Sequence, residues 1–303
     1  MYRLQSLQTG IDPECRLFQK FAEQGHSRLA GATRQGVYAA TPSGILLASL
    51  NSNDPERVAD MLRRALERWQ TLSRDERLMP DDPRKQTADI KRPERFYPKD
   101  GLVLHVTSRD MPRPADNSKP AKQDWWKTAW NQDYAWFTRG EARQFLPAVP
   151  QKGSRRDVPI SIVHRIACAH LVDNVRGQTV AFEENQVTKA RLVAEVTEVD
   201  ANVVRLRLEG ETRTAAGEGP RSHGREMRLL GKATYDLTDE RFRTFEMVAV
   251  GTRWGGTKNN SRLGDLDEGP IAILFALAGD GPCERVAPAF YQHRVYRPVV
   301  SGK

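Results

Sequence analysis

The apolar positions of the first 75 residues follow first a helical period and then the pattern of a hairpin. Residues 13–24 carry apolar side chains that share one helical face, namely Leu17, Phe18, Phe21 and Ala22. Gly25 is a natural end for this helix. Two short apolar runs within 36–50 then flank the turn sequence Thr41-Pro42-Ser43-Gly44, which predicts a β-hairpin.

A second helix follows the hairpin. Asp54 is placed to cap this helix, and Pro55 fits its first position, where a missing N–H costs nothing. The residues after Pro55 are apolar at intervals of three and four: Val58, Met61, Leu62, Ala65, Leu66 and Trp69. The first 75 residues therefore predict a small α+β unit in which two amphipathic helices cover a hairpin.

The last half of the chain predicts one helix and an antiparallel sheet. Residues 160–176 read as a helix whose apolar stripe is Ile162, Val163, Ile166, Ala167, His170 and Leu171. From residue 186 onward the apolar period changes to two, over five predicted strands. Such alternation indicates an antiparallel sheet with one buried face, and the helix is the element available to cover that face. The fold class is therefore α+β.

The composition divides the chain into three parts. Residues 1–75 form the small unit, residues 76–156 form a proline- and aromatic-rich connecting segment, and residues 157–303 form the antiparallel β domain. One strand is predicted inside the connecting segment, with Leu102, Leu104 and Val106 on one side. The prolines around this strand favour an ordered, extended course as much as a flexible tether.

Four of the six tryptophans lie in 125–137, at Trp125, Trp126, Trp130 and Trp136. Their density leaves two interpretations open. The rings could stack on a sugar or a base, or they could dock this segment onto a domain. Docking is favoured, because large aromatic rings dominate cores and internal interfaces in general.

The chain has a net charge of +8, but its arginines are dispersed and interleaved with acids. A nucleic-acid-binding protein is expected to concentrate basic residues in a compact patch, so this distribution argues against a nucleic-acid partner. No apolar run approaches the length of a membrane span, and no signal peptide is visible. We therefore expect a cytoplasmic protein, unless an export signal precedes this sequence.

Three cysteines, at positions 15, 168 and 283, are widely spaced and form no CxxC pair. Cys168 and Cys283 are interpreted as small buried side chains. His164 and Cys168 have the i, i+4 spacing of a shared metal site, but a third ligand is not evident. His170 is interpreted as a hydrogen-bonded core residue. No metal and no cofactor is predicted.

The stretch "IDPECRLFQKFAEQG" resembles the WCxPCR helix start of the thioredoxin superfamily. The resemblance places Cys15 at the second, resolving cysteine and Asp12 at the first, nucleophilic one. The hairpin and helix of 36–72 resemble the closing elements of that fold. The resemblance therefore implies a truncated, redox-degenerate thioredoxin-like lobe. The stretches "HLVDNVRG", "RLLGKATYD" and "VAVGTRWGG" resemble uncharacterised bacterial proteins that join such a lobe to a C-terminal β domain.

The sequence "GTRWGGTKNNSRLGDLDEGP" is the most site-like loop, because long polar loops within a sheet are often functional. An anion could bind there to Arg253 and Lys258, with Trp254 as a platform and with Asn259 and Asn260 nearby. The alternative is a structured crossover whose glycines serve turns.

Two functions follow from these observations. The first, which we prefer, is a non-catalytic binding or assembly protein that holds a protein or small-molecule partner at this loop and the aromatic segment. The second is a thiol-dependent oxidoreductase or redox sensor that uses Cys15, whose thiol would gain reactivity from its place at a helix start.

Overall fold

The structure is a computed structural model. The chain forms two compact units, 1–91 and 92–303. It describes the following residues: 13–26, 34–52, 54–78, 100–112, 129–177, 179–219, 222–258, 260–281, 284–291 and 293–296. None of the described helices has the length and apolar composition that crossing a membrane requires.

The first unit contains the predicted order of helix, hairpin and helix. Its elements are α1 (Pro13–Ala22), β1 (Val37–Ala40), β2 (Leu46–Leu50), α2 (Pro55–Thr71) and α3 (Arg74–Arg77). Strands β1 and β2 pair antiparallel. Gly44 closes the predicted turn at a φ of 86°, and its N–H donates to the carbonyl oxygen of Thr41 at 2.9 Å.

The start of α2 is built as its sequence predicts. The Asp54 carboxylate accepts hydrogen bonds from the backbone N–H groups of Glu56 and Arg57, at 2.9 and 3.2 Å. These bonds satisfy two of the donors that a helix start leaves without partners. Met61 and Ala65 form the buried face of the helix.

The second unit is dominated by an eight-stranded antiparallel sheet with the order β4-β3-β10-β9-β8-β7-β6-β5. The strands are β3 (Leu102–Asp110), β4 (Trp130–Phe137), β5 (Arg155–Asp157), β6 (Val187–Asp200), β7 (Val203–Ala216), β8 (His223–Asp236), β9 (Arg241–Trp254) and β10 (Gly269–Leu277). The predicted alternation over 187–277 is confirmed as strands β6 to β10. The stretch 76–156, predicted to be connecting, supplies β3, β4 and β5 as well, so this sheet is larger than the five strands expected.

One face of the sheet, here the inner face, packs against a helix. Helix α5 (Ile160–Arg165) continues into a π-helical turn at Ile166–His170, and the Leu171 N–H donates to the carbonyl oxygen of Ile166 at 2.8 Å. The helix is therefore shorter than predicted, although every residue of its predicted apolar stripe is buried. The core joins these residues to inner-face side chains such as Leu104, Leu192, Leu208, Leu229, Phe245 and Ile273.

The opposite, outer face of the sheet carries alternate residues that remain exposed. Leu230, Val250 and Leu274 are 51%, 45% and 44% exposed, whereas Leu229, Ala249 and Ile273, which precede them, are fully buried. Successive side chains of a strand point to opposite faces, so each strand contributes one residue to the core and the next to the outer face.

The close pairing of β8 and β9 makes Gly251 a test of this architecture. A Cβ atom on Gly251 would lie 1.9 Å from the Glu226 carbonyl oxygen. We therefore expect Gly251→Ala to lower the free energy of unfolding by about 2 kcal/mol or more, measured by urea denaturation.

Gly140 is the matched control, because a Cβ atom there meets no atom of the described residues within 4 Å. Gly140→Ala lies in a helix, α4 (Arg139–Arg143), and is expected to leave stability unchanged or to raise it slightly. Equal losses in the two variants would contradict the tight packing of β8 against β9.

Candidate functional site

The loop 255–268, which joins β9 to β10, is held by one fully buried arginine. Arg262 donates from Nε and Nη2 to the two carboxylate oxygens of Asp173, at 2.8 and 2.7 Å. It also donates from Nη1 and Nη2 to the two carboxylate oxygens of Asp110, each at 2.7 Å. One guanidinium in the loop therefore binds two carboxylates at once.

These two carboxylates come from separate elements of the second unit. Asp110 is the last residue of β3, and Asp173 follows the π-helical turn. Hydrogen bonds to ionised groups are about twice as strong as neutral ones, and a buried charge must be paired to be tolerated. Arg262 therefore fixes the loop to β3 and to the end of the central helix, which consists of α5 and its π-helical turn.

Two further arginines complete this cluster, which we call the arginine–aspartate cluster: Arg176, Arg253 and Arg262 with Asp110, Asp173 and Asp265. Arg253 is 1% exposed and donates to the Asp265 carboxylate at 2.5 Å and to the Asp267 carbonyl oxygen at 3.0 Å. Arg176 bridges the carboxylates of Asp110 and Asp265, at 2.7 and 2.8 Å.

The cluster changes the pKa of Asp110. Burial raises this pKa. The hydrogen bonds and positive charge of Arg262, together with the positive charge of Arg176, lower it by more than burial raises it. The net pKa lies below the ordinary value of an aspartate, so Asp110 is an ionised carboxylate at neutral pH.

The residues predicted to bind a ligand at this loop do not lie together in one site. Arg253 belongs to the arginine–aspartate cluster. Asn260 is 1% exposed, accepts from the Thr257 N–H at 3.0 Å and donates to Asp173 at 3.3 Å. Lys258 is exposed, Trp254 is half-buried, and Asn259 lies outside the described residues. The loop thus uses Arg253 and Asn260 to hold its own shape.

Trp254 lines a groove on the outer face of β8 and β9, bounded by the end of the loop. The groove has a volume of about 630 Å³, and its lining includes Arg213, Glu226, Arg228, Val250, Trp254 and Leu266. The Trp254 ring lies across Gly224, where an added Cβ atom would be 2.3 Å from the ring. The Arg213 guanidinium, which comes from β7 on the far side of β8, lies 6.0 Å from the centroid of this ring.

Sequence reasoning missed most of this groove. Arg213, Glu226 and Arg228 were part of predicted strands, and the period of two places Glu226 and Arg228 on one face. The signal that would have joined them to Trp254 is the pairing of Gly224 with Trp254 and of Arg213 with Glu226. That register is a property of the folded sheet.

The residues of the predicted thiol site are only partly described. Cys15, in α1, is 1% exposed, and Asp12 lies outside the described residues. A reactive thiol must be both ionised and accessible, and the burial of Cys15 restricts access to its sulfur.

The other two cysteines were both predicted to be buried. Cys168 is fully buried, and burial raises the pKa of its thiol to about 12, with further contributions from Glu184 and Glu183. Cys168 is therefore a core side chain, as predicted. Cys283 lies outside the described residues.

The histidines of the central helix were the other potential site. Across the described ranges, no group of three His, Cys, Asp or Glu side chains is arranged to hold a metal ion, so His164 and Cys168 gain no third ligand there. His170 is a buried core residue, as predicted. Its Nε2 hydrogen-bonds the Tyr296 hydroxyl, and its Nδ1 lies 3.4 Å from the Asp133 carboxylate.

Two tryptophans of the predicted aromatic segment are described, and they differ. Trp136 is 4% exposed and packs with Val103 and Tyr296, whereas Trp130 is 57% exposed. Trp136 thus docks its strand in the core, as the favoured interpretation expects. Trp125 and Trp126 lie outside the described residues.

Comparison of the chain with protein-family models, with curated proteins and with solved structures finds no match.

The lowered pKa of Asp110 predicts part of the acid sensitivity of the second unit. A carboxylate whose pKa is lower in the folded state than in the unfolded state stabilises the fold at pH values above its unfolded pKa of about 3.9. This contribution is lost as the pH falls through the folded-state pKa. We expect Asp110→Asn to be less stable at pH 7 and to lose less stability on acidification below about pH 4. Urea unfolding between neutral pH and about pH 2.5 measures both effects.

Asp157→Asn is the control, because the Asp157 carboxylate is 76% exposed in a surface pair with Arg191. It should follow the wild type over the whole pH range. The same acid slope in Asp110→Asn as in the wild type would show that the cluster does not depend on this charge.

Proposed function

We propose that this protein is a non-catalytic binding or assembly protein, and that the Trp254 groove holds a small ligand or a side chain of a partner protein. The observation that carries the proposal is the groove itself. Its volume of about 630 Å³ lies within the range of about 300–1,000 Å³ that is typical of small-molecule sites.

The lining of the groove suggests the chemistry of its ligand. Trp254 offers an aromatic wall, and Val250 and Leu266 add apolar surface. Arg213 and Arg228 supply positive charge, whereas Glu226, Asp267 and Glu268 supply negative charge. Glu226 lies 3.9 Å from the Arg213 guanidinium. A flat or aromatic group would use the apolar wall, and an anionic substituent on it would pair with the guanidinium groups of Arg228 and Arg213 rather than lie beside the carboxylates.

The buried cluster supports the proposal, because it makes one wall of the groove rigid. Leu266 and Asp267 line the groove, and they flank Asp265, which accepts hydrogen bonds from Arg253. A wall that is already fixed before binding loses little conformational entropy when the ligand arrives.

For the first unit we propose a thioredoxin-like lobe that serves assembly. The order of α1, the β1–β2 hairpin and α2 agrees with the resemblance noted in the sequence. The burial of Cys15 supports a packing role for this residue over a redox role. The redox alternative remains a prediction that rests on Cys15 alone.

Anilinonaphthalene sulfonate, a fluorescent aromatic anion, is a suitable probe of the groove. We expect saturable binding of one molecule to the folded protein and a loss of affinity of about tenfold or more in Trp254→Ala, because truncating an aromatic anchor costs at least about 1.4 kcal/mol. Fluorescence titration measures this affinity, with a cooperative thermal melt to show that each variant is folded.

Trp130→Ala is the matched control, since Trp130 is exposed on β4 and does not line the groove. It should bind the probe as the wild type does, and so should Cys15→Ser. Equal losses in the two tryptophan variants would overturn the groove as the binding site. A loss confined to Cys15→Ser would favour the redox alternative.

A further inference from the structure

A further buried arginine, Arg225, lies beside the arginine–aspartate cluster, on the inner face of β8. Arg225 is 3% exposed, and among the described residues its Nε and Nη1 atoms have no hydrogen-bond partner. In the part of the chain that the structure describes, no carboxylate lies within 4.0 Å of its guanidinium nitrogens. Buried polar groups are nearly always hydrogen-bonded, and a buried charge without a partner is costly.

An aromatic ring covers one face of the Arg225 guanidinium. The guanidinium carbon lies 5.1 Å from the centroid of the Phe182 ring, so the aromatic ring occupies one face. The N–H groups of a guanidinium point outward in its plane, and a ring on its face does not satisfy them. In the strand register Arg225 pairs with Thr214 on one side and with Arg253 on the other.

Among the residues that the structure describes, the charges around Arg225 do not balance. The arginine–aspartate cluster contains three arginines and three aspartates, and these six charges pair with one another. Arg225 adds a further positive charge beside them. Burial and the positive charges of Arg262 and Arg253 lower the pKa of Arg225 to about 10, and the negative charge of Asp173 partly opposes this shift by raising the pKa. Arg225 is therefore still charged at neutral pH.

We propose that Arg225 binds a small oxyanion, a carboxylate or a phosphate-like group, on the inner face of β8. The oxyanion would accept hydrogen bonds from the Arg225 guanidinium and from the hydroxyl of Thr214, whose side chain lies on the same face. It would also neutralise the unmatched charge, which a water molecule cannot do. This site is separate from the Trp254 groove, which lies on the outer face.

The test is the thermal stability of the wild type and of Arg225→Met in chloride, acetate, sulfate and phosphate, at matched ionic strength. A ligand that binds only the folded protein raises its Tm with ligand concentration. We expect a saturable rise for the wild type, of about 5 °C at one hundred times the dissociation constant, and none for Arg225→Met. In chloride alone the variant should be at least as stable as the wild type.

The choice of anions separates the two sources of the oxyanion. A larger response to acetate would identify a carboxylate ligand, and a larger response to phosphate or sulfate would identify a tetrahedral one. Thr214→Val, which keeps the shape of the side chain, should shift the response to higher oxyanion concentration. This variant also keeps the proposal testable if Arg225→Met does not fold.

Arg207→Met is the control for general effects of salt, because Arg207 is exposed on β7 in a surface pair with Glu195. It should respond to each anion as the wild type does. The proposal would be overturned if the Tm of the wild type and of Arg225→Met rose equally with each anion. It would also be overturned if Arg225→Met were less stable than the wild type by the same amount in all four anions. Either result leaves the Trp254 groove untouched, since probe binding there should persist in Arg225→Met.

Discussion

The arginine–aspartate cluster is the interaction on which the end of the large sheet depends. Arg262 brings together a loop, the end of the central helix and the end of β3, through Asp173 and Asp110. Charges removed from water are tolerated only when they are closely paired, so the three elements keep one arrangement. The loop that closes this arrangement also forms a wall of the Trp254 groove.

The alternation of the strands gives neighbouring residues different tasks. Arg253 points to the inner face and binds Asp265, whereas Trp254, the next residue, lies across Gly224 on the outer face. On β8, Arg225 belongs to the inner face and Glu226 to the groove. A single pair of strands thus separates a buried, charged interior from an open, partly aromatic surface. The two proposed binding sites lie on opposite sides of this pair.

Local physical chemistry explains what the sequence could predict. The Asp54 cap, the Thr41–Gly44 turn and the apolar stripe of the central helix depend on residues near one another in the chain. The place of β3 in the sheet depends on pairing with β10, which lies more than a hundred residues away, and β4 joins the sheet only through β3. Arg253 looked like an anion ligand because its partner Asp265 becomes its neighbour only when the loop folds back.

Arg262 holds the 255–268 loop in place through its hydrogen bonds to Asp110 and Asp173. Amide hydrogen exchange in the wild type and in Arg262→Gln tests it most directly, because Gly255 and Asp265 donate backbone hydrogen bonds within the loop, at 2.8 and 2.7 Å. We expect these amides to exchange at least about tenfold faster in the variant, while the amides of β7 and β8 keep their protection. Unchanged exchange in the loop, or an equal loss of protection throughout the sheet, would contradict it.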